Sequence, residues 1–167
     1  MTDRDGHRFR DDGAAVRPET DRLLLDVMLG KLAVYLRLCG FDTAYAGDRG
    51  IEADERIAET AKREDCRLCT RDVGLAGQVP ESILLTEREI DEQLAELRES
   101  GFVLDVADKP EYCGRCNGAL TAVEPTAGTP GYAPDPGSVD CWRCETCGQV
   151  LWKGSHYERM RETVESA

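Results

Sequence analysis

Two pairs of cysteines constrain the C-terminal part of this chain more than any other feature does. Cys113 and Cys116 form one C-x2-C pair, and Cys144 and Cys147 form a second pair after 27 intervening residues. Each such turn can place two thiolates on one ion, and zinc in structural sites takes four soft ligands in a tetrahedron. The spacing therefore predicts a small zinc ribbon, with a disulfide or a redox role as the alternative.

A fifth cysteine complicates the choice of ligands, because Cys141 and Cys144 also form a C-x2-C pair. Gly148 directly follows Cys147 and suits the tight backbone of a metal knuckle. The pattern therefore favours Cys144 and Cys147 as ligands and places Cys141 in a strand. A further pair, Cys66 and Cys69, is not predicted to bind metal, because positions i and i+3 of a strand point to opposite faces.

The charge of the chain is strongly negative, with 33 acidic and 21 basic residues and a formal net charge of -12 among 167 residues. Such a surface repels nucleic acid, whose binding depends on Lys and Arg. Either the protein avoids polyanions, or it comes from an acidic, halophilic proteome, in which high salt shortens the Debye length to a few Å. Acidic residues crowd even ordinary helix surfaces, which favours the halophilic interpretation.

The compartment is predicted from segments that the sequence lacks. The N-terminal twenty residues contain no apolar core of a signal peptide. No stretch approaches the roughly 18 apolar residues of a membrane span. We therefore expect a cytoplasmic protein with no membrane partner, in which paired cysteines bind metal more often than they form disulfides.

Three segments are predicted along the chain: a disordered leader at 1–20, an α/β domain at 21–108, and a zinc ribbon with a closing helix at 109–167. Strands alternate with helices in the second segment, which is typical of a parallel sheet with crossover helices. Its strands are predicted at 22–26, 42–46, 67–70 and 82–85. Its helices are predicted at 28–40, at 54–64 and after a T-x-x-E capping box at Thr86. A Pro/Gly-rich loop at 123–139, a strand at 149–152 and a helix opened by a second capping box at Ser155 complete the chain.

Three carboxylates stand at the boundaries of these elements. Asp26 ends the first strand, Asp54 begins the second helix, and Asp72 follows the third strand. The carboxyl ends of parallel strands line the crevice where α/β proteins bind ligands. Clustered carboxylates favour Mg²⁺ or Mn²⁺, which can activate water for phosphodiester hydrolysis. The alternative is that each Asp only caps a helix. Asp48, in a loop, and Asp91, on a helix surface, are weaker additions for which solvated charge is the default.

Several motifs together resemble one known family. Residues 23–33 (LLLDVMLGKLA) and 36–43 (LRLCGFDT) resemble the opening of the Mut-seven C-terminal RNase domain family, and Thr70-Arg71-Asp72 resembles its T-R-D strand end. The cysteine knuckles with Asn117-Gly118, and the WKGSH segment at 152–156, resemble its zinc-ribbon ending. Three features depart from the family pattern: Cys141 replaces an apolar or aromatic residue, the loop before it is longer, and the strand end at 68–72 reads LCTRD instead of LLTRD.

The resemblance implies a PIN-like nuclease fold fused to a zinc ribbon. It also implies metal-dependent RNA hydrolysis, with Asp26, Asp54 and Asp72 as acidic metal ligands. The basic residues that could contact RNA are Lys31, Arg37, Arg71, Lys153 and His156, although each could equally be a surface charge or part of an ion pair. Trp152 could stack on a base or fill a small core.

Three functions remain open from the sequence. The first is a Mg²⁺- or Mn²⁺-dependent ribonuclease whose ribbon helps to bind RNA. The second is a non-catalytic zinc-ribbon module that binds RNA or protein. The third is a phosphohydrolase that acts on a small substrate.

Overall fold

A four-stranded parallel sheet forms the centre of the computed structural model, which describes residues 15–167. The strands follow the order β2-β1-β3-β4, and each is short because the chain leaves the sheet at a polar residue or turn. The strands are β1 (Leu23–Leu25), β2 (Thr43–Tyr45), β3 (Arg67–Thr70) and β4 (Ile83–Leu84). The helices of this part are α1 (Gly30–Leu38), α2 (Asp54–Arg63), α3 (Val73–Ala76) and α4 (Ile90–Glu99), with a 3-10 turn at Val27–Leu29 before α1.

Helices cover both faces of this sheet. Leu23 and Leu25 share a buried cluster with the apolar residues of α1 and α4, whereas Leu24 packs with α2 and α3 on the other face. Successive side chains of a strand point to opposite faces, so a strand buried on both sides is apolar throughout. The predicted α/β class, with a parallel sheet flanked by helices, is confirmed.

A second, antiparallel sheet follows, with the order β5-β6-β7. Its strands are β5 (Leu120–Ala122), β6 (Cys141–Cys144) and β7 (Val150–Trp152). Residues 123–140, between β5 and β6, contain no helix or strand, as their proline and glycine content predicts. The loop folds back on the sheet: the Tyr132 ring stacks on Trp152 with 6.3 Å between centroids, and its hydroxyl accepts the Val150 N–H at 3.0 Å.

The predicted disordered leader is wrong for residues 15–20, and its first 14 residues lie outside the described part. Val16 is only 2 % exposed and forms a parallel bridge with Phe102. Its N–H donates to the Gly101 carbonyl at 2.8 Å, and its own carbonyl accepts the Val103 N–H at 2.9 Å. This segment therefore belongs to the α/β core.

The closing helix α5 (Ser155–Ser166) packs against α4. Met160 and Val164 join the same buried cluster as Leu94 and Leu97. Arg98 also donates to the carbonyl of the last residue, Ala167. The closing helix, predicted as part of the ribbon unit, thus completes the core of the α/β layer and ties the two parts of the chain together. No helix within residues 15–167 is both long and apolar enough to cross a membrane.

Neither predicted capping box forms. Helix α4 begins at Ile90, because the Thr86 N–H and hydroxyl both donate to the Glu96 carboxylate, each at 2.9 Å, instead of capping the chain at that point. Helix α5 begins at Ser155 itself, and its cap residue Gly154 has no side chain that could accept a backbone N–H. The serine therefore stands one position too late to cap.

Candidate functional site

The carboxyl edge of the parallel sheet brings two of the predicted carboxylates together. Asp26 follows β1, and Asp72 follows β3 after one intervening residue; these strands are neighbours, with Leu25 paired to Cys69. The chain passes from β1 to β2 on one side and then to β3 on the other, so the edge between β1 and β3 is a topological switch point. Crevices at such points are the usual ligand sites of open α/β sheets.

Asp26 is held rigidly at this edge and is only 4 % exposed. One carboxylate oxygen accepts the Val27 N–H at 2.7 Å, and the other accepts the Thr70 hydroxyl at 2.7 Å. The Thr70 hydroxyl in turn accepts the Asp72 N–H at 3.0 Å. The Thr70 hydroxyl therefore links the two aspartates, and the Thr70 side chain is fully buried. Its role was not predicted from the sequence, although its position in T-R-D was a signal.

Asp72 is partly exposed and caps α3, because its Oδ1 accepts the Leu75 N–H at 2.9 Å. Asp26 likewise caps the 3-10 turn. The capping alternative is therefore confirmed for both residues, but the caps occupy only one oxygen of each. The second oxygen of Asp72 accepts no hydrogen bond within the described chain and remains available to a ligand.

Asp54 stands apart, because it caps nothing. It is the first residue of α2, Ala53 occupies the cap position, and its carboxylate is exposed. Loss of hydration and the negative charges of Asp72, Asp26 and Glu55 raise the pKa of Asp54. Asp26 and Asp72 therefore lie near enough to act electrostatically on Asp54. Within residues 15–167, however, only four cysteines form a group whose ligand atoms all lie within 4.8 Å of one another, so the carboxylates do not close on a single point.

Two basic residues lie beside this edge. Lys31 is exposed in the first turn of α1. Arg71 is partly buried between Thr70 and Asp72, and its Nε atom is buried without a hydrogen-bond partner in the described chain. An unpaired guanidinium N–H is costly unless a ligand meets it.

Arg37 does not lie in this cleft, and its guanidinium is already bonded within the protein. The residue is 3 % exposed, and its guanidinium donates to the carbonyls of Thr43 and Gly114 at 3.0 and 2.9 Å. It also pairs with Asp48 at 3.4 Å, which removes Asp48 from the set of free carboxylates. The ion-pair alternative is therefore correct for Arg37. Asp91 is exposed in the first turn of α4, as its default interpretation expects.

The four predicted zinc ligands converge. The Sγ atoms of Cys113, Cys116, Cys144 and Cys147 all lie within 4.8 Å of one another. The distances are 3.7 Å between Cys113 and Cys147 and 3.5 Å between Cys116 and Cys144. A tetrahedral site with Zn–S bonds of about 2.3 Å has edges of about 3.8 Å, whereas a disulfide needs about 2.05 Å. The cysteines are free, and their geometry fits a zinc ion.

Backbone amides support the sulfur atoms. The Gly118 N–H donates to Cys116 Sγ, and the N–H groups of Thr146 and Cys147 donate to Cys144 Sγ, all at 3.4 Å. Burial alone would raise the pKa of Cys144, but these N–H groups and the neighbouring thiols lower it to about 7. A Cβ atom at position 118 would lie 2.6 Å from Cys144 Sγ. Gly148 was predicted to allow the tight turn of the second knuckle, and its φ of +77 agrees with that role. The need for a glycine at position 118 was not predicted, although the Asn-Gly dipeptide is a turn signal.

The remaining cysteines are structural. Cys141 lies in β6, 2 % exposed, with its thiol 3.3 Å from the Val139 carbonyl and outside the four-sulfur group. Cys66 and Cys69 belong to opposite faces of the parallel sheet, as predicted. Burial raises their pKa values to about 11 and about 12. All three thiols therefore act as small apolar side chains.

The ribbon is anchored to the edge strand β2 of the parallel sheet. Asn117 adopts φ +67 in the first knuckle, donates from Nδ2 to Asp42 at 2.8 Å, and accepts the Thr43 N–H at 2.9 Å. Together with the bond from Arg37 to Gly114, these contacts make docking of the ribbon depend on the shape of its metal knuckle.

The two C-terminal residues predicted to contact RNA lie elsewhere on the surface. Lys153 is exposed, donates to the Asp108 carbonyl at 2.6 Å, and lies 5.6 Å from the centre of the Tyr157 ring. His156 is exposed in the first turn of α5. Neither residue belongs to the acidic edge, so any contact they make with RNA lies away from the carboxylates.

The parallel sheet with its acidic switch point, together with the four-cysteine cluster that could hold a metal ion, places this protein in the class of α/β domains joined to a cysteine-rich ribbon. Residues 21–164 match the family model described as the Mut7-C RNAse domain, and the chain belongs to that family. This match confirms the resemblance seen in the sequence motifs. A search of curated proteins and a search of solved structures found no significant match.

Proposed function

We propose that this protein is a Mg²⁺- or Mn²⁺-dependent ribonuclease that hydrolyses RNA phosphodiester bonds at the edge carrying Asp26, Asp54 and Asp72. One observation carries the proposal: the exposed carboxylate of Asp54, which caps no helix, interacts electrostatically with two aspartates at a topological switch point. Membership of an RNase domain family supports the same chemistry. The PIN-like arrangement implied by the resemblance is part of this proposal.

The donor set fits a hard cation. All three side chains offer carboxylate oxygens, which Mg²⁺ and Mn²⁺ prefer, and Mg²⁺ usually keeps several of its waters. Because the three carboxylates do not all lie within 4.8 Å of one another, they suit an ion held partly through those waters. When bound, the ion would supply an activated water and charge stabilisation for the leaving oxygen.

The protein side chains divide the remaining work. Asp26 is fixed by two hydrogen bonds and orients the edge, while Asp54 and the free oxygen of Asp72 face incoming ligands. The partly exposed Arg71 and the exposed Lys31 meet the phosphate that the carboxylates would otherwise repel. In this proposal, Lys153, His156 and the zinc ribbon contribute to RNA binding outside the reacting centre.

The acidic surface requires a suitable solvent for RNA to approach. With a formal net charge of -12, the protein would repel RNA at low ionic strength. Molar salt shortens the Debye length to about 3 Å and removes most of that repulsion. We therefore propose that the protein works in the cytoplasm of a cell with high internal salt.

One observation favours a second candidate, a non-catalytic zinc-ribbon module that binds RNA or protein. Asp26 and Asp72 both cap helical turns, and this structural role alone can explain why carboxylates stand at these two positions. That function leaves Asp54 unexplained, since it caps nothing and is destabilised as an anion by the other two.

Incubation with RNA separates these functions. The zinc-loaded protein is mixed in molar KCl with single-stranded RNA, structured RNA or free nucleotides, with and without Mn²⁺, and the products are resolved by electrophoresis and chromatography. We expect RNA cleavage only with Mn²⁺. RNA binding without cleavage would favour the non-catalytic module, and hydrolysis of nucleotides alone would favour a small-substrate phosphohydrolase.

A substitution at Thr70 tests how the carboxylates are held. Thr70→Val removes the hydroxyl that joins Asp26 Oδ2 to the Asp72 N–H, leaving two buried polar groups unpaired at about 1–3 kcal/mol each. We expect RNA cleavage to fall by about 10-fold to 100-fold and the melting temperature to drop. Thr70→Ser keeps the hydroxyl and should retain most of the activity. Equal activity of the Val and Ser variants would show that the link does not position the site.

A further inference from the structure

A cavity of about 500 Å³ lies where α1, the antiparallel sheet and α5 meet. Its volume falls within the ~300–1,000 Å³ range of small-molecule sites. Apolar and aromatic side chains from all three elements form its walls, among them Val34, Leu38, Leu151, Trp152, Tyr157 and Met160. The cavity is separate from the acidic edge.

The cavity contains no acidic side chain. No Asp or Glu of residues 15–167 lines it, although acidic residues number 33 in a chain of 167. Arg37, Arg115 and His156 do line it. The Arg37 guanidinium is already bonded to two carbonyls and to Asp48, so Arg115 is the cation that a ligand can meet. Arg115 is exposed and donates one hydrogen bond of 3.3 Å to Gln149, so its guanidinium can also bind an anion. The cavity is therefore suited to a ligand that carries negative charge.

The aromatic residues of the cavity suggest a flat ligand. Tyr112, Trp152 and Tyr157 all line it, and each is partly buried. Aromatic rings stack on nucleobases regardless of sequence, because every base has a π face. A flat apolar ring next to a negative charge is the chemistry of one nucleotide.

Helix α1 connects this cavity to the acidic edge. It begins immediately after the 3-10 turn that Asp26 caps. Lys31, Val34 and Leu38 recur at positions i, i+3 and i+7, which lie on one face of a helix. The latter two line the cavity, and with a rise of 1.5 Å per residue Leu38 lies about 10 Å along the axis from Lys31. An RNA strand that crosses this face of α1 can reach both the acidic edge and the cavity, with Lys31 between them.

We propose that the cavity holds one unpaired base of a single-stranded RNA substrate, with Trp152 among its stacking rings and Arg115 on the adjacent phosphate. A base inside a duplex is stacked and paired, so only a single strand can place one in the cavity. The inference rests on the proposed ribonuclease function and names its substrate class. It also gives the ribbon a defined part in substrate binding, since β7 supplies Trp152 and the first knuckle supplies Arg115.

Binding of a short unstructured RNA, followed by fluorescence anisotropy on zinc-loaded protein without added Mg²⁺ or Mn²⁺, tests the inference. Trp152→Leu should lower the affinity by about 10-fold, because a stacked base is lost. Trp142→Leu is the matched control, since Trp142 is the other tryptophan of the ribbon and does not line the cavity. In a Trp142→Phe protein, Trp152 is the only tryptophan. Single-stranded RNA should quench its fluorescence, and duplex RNA should not.

A pair of arginine variants tests the phosphate contact and shows whether a change in RNA affinity comes only from impaired folding. Arg115→Gln should reduce the slope of log affinity against log salt by about 0.7, the value for one phosphate contact of a single strand. Arg143→Gln, an equal change of charge at an exposed ribbon residue with one bond of 3.3 Å, should leave the slope unchanged. Zinc content, measured for every variant, confirms that the knuckles are intact.

The outcomes separate the inference from the function on which it rests. Equal affinities of Trp152→Leu and Trp142→Leu, or equal quenching by duplex and single-stranded RNA, would overturn the base-binding cavity even if Mn²⁺-dependent cleavage is found. The expected changes in affinity and quenching, in a protein that cuts no RNA, would support the cavity and contradict only the proposed hydrolysis.

Discussion

Replacing Cys144 with serine is expected to remove zinc from the protein and to lower its free energy of unfolding by about 4 kcal/mol or more. Cys144 Sγ lies 3.5 Å from Cys116 Sγ and accepts two backbone N–H groups, which stabilise a thiolate at this position. A serine hydroxyl is harder, shorter and far less acidic, so it cannot replace that thiolate. Zinc content by atomic emission and thermal unfolding by circular dichroism measure the two effects.

Cys141→Ser is the matched control, because Cys141 lies three residues earlier in β6 but outside the four-sulfur group. Its zinc content should equal that of the wild type. A loss of zinc in Cys141→Ser together with full zinc in Cys144→Ser would contradict the assignment of the ligands.

The loss of zinc should also reach beyond the ribbon. Asn117 and Gly114 belong to the first knuckle and hold the ribbon on β2 through Thr43, Asp42 and Arg37. When the knuckle loses its ion, these bonds lose their geometry, and the buried Arg37 guanidinium loses one partner. Amide hydrogen exchange should therefore increase at β2 as well as at the cysteines. Increased exchange confined to residues of the ribbon would show that the two parts are not coupled in this way.

The second large effect is expected from Asp54→Asn, which should lower the RNA-cleavage kcat/KM by about 100-fold or more without loss of fold. Asp54 makes no capping bond, and its carboxylate is exposed, so the amide removes only a charge. That charge is repelled by Asp26 and Asp72 in the free protein, and the melting temperature should stay equal or rise slightly. The negative charge of Asp54 becomes stabilising only when a cation binds beside it. We therefore expect its loss to reduce catalysis and not stability.

Glu55→Gln provides a matched control for this substitution. Glu55 is the next residue of α2, equally exposed, and its charge also acts on Asp54. Its substitution makes the same change in net charge and should leave kcat/KM within about two-fold of the wild type. Equal losses of activity in the two variants would indicate a general effect of charge on RNA binding rather than a specific ligand.

Local patterns were sufficient to predict much of this architecture. The strand at 23–25 is an apolar run followed by Asp26, and the strand at 67–70 ends at the polar Thr70. The order of strands and helices implied a parallel sheet with Asp26 and Asp72 at one edge. The spacing of the cysteines also allowed the Cys141–Cys144 pair, and the choice of Cys144 and Cys147 followed from Gly148. Each of these signals is contained in a few adjacent residues.

The features that the sequence could not predict depend on contacts between distant parts of the chain. Val16 is one apolar residue in a charged segment, and its burial depends on a bridge to Phe102. Arg37 has the appearance of a helix surface charge, but a carbonyl 77 residues later helps to bury it. Thr86 and Glu89 have the spacing of a capping box, yet the Thr86 N–H donates to the carboxylate of Glu96, ten residues further along the chain. The placement of Asp54 near the other two aspartates likewise depends on where α2 packs, and a metal site shared by all three remains a prediction.

The most direct test of the acidic site counts the Mn²⁺ ions that the protein holds. Mn²⁺ is titrated into zinc-loaded wild type and into Asp72→Asn, and free Mn²⁺ is followed by electron paramagnetic resonance in molar KCl. Asp72→Asn retains an Oδ1 that can still cap α3, so its fold should persist. We expect the wild type to bind at least one Mn²⁺ and Asp72→Asn to bind it at least about ten-fold more weakly. Equal Mn²⁺ binding by the two proteins would contradict a shared metal site at Asp26, Asp54 and Asp72.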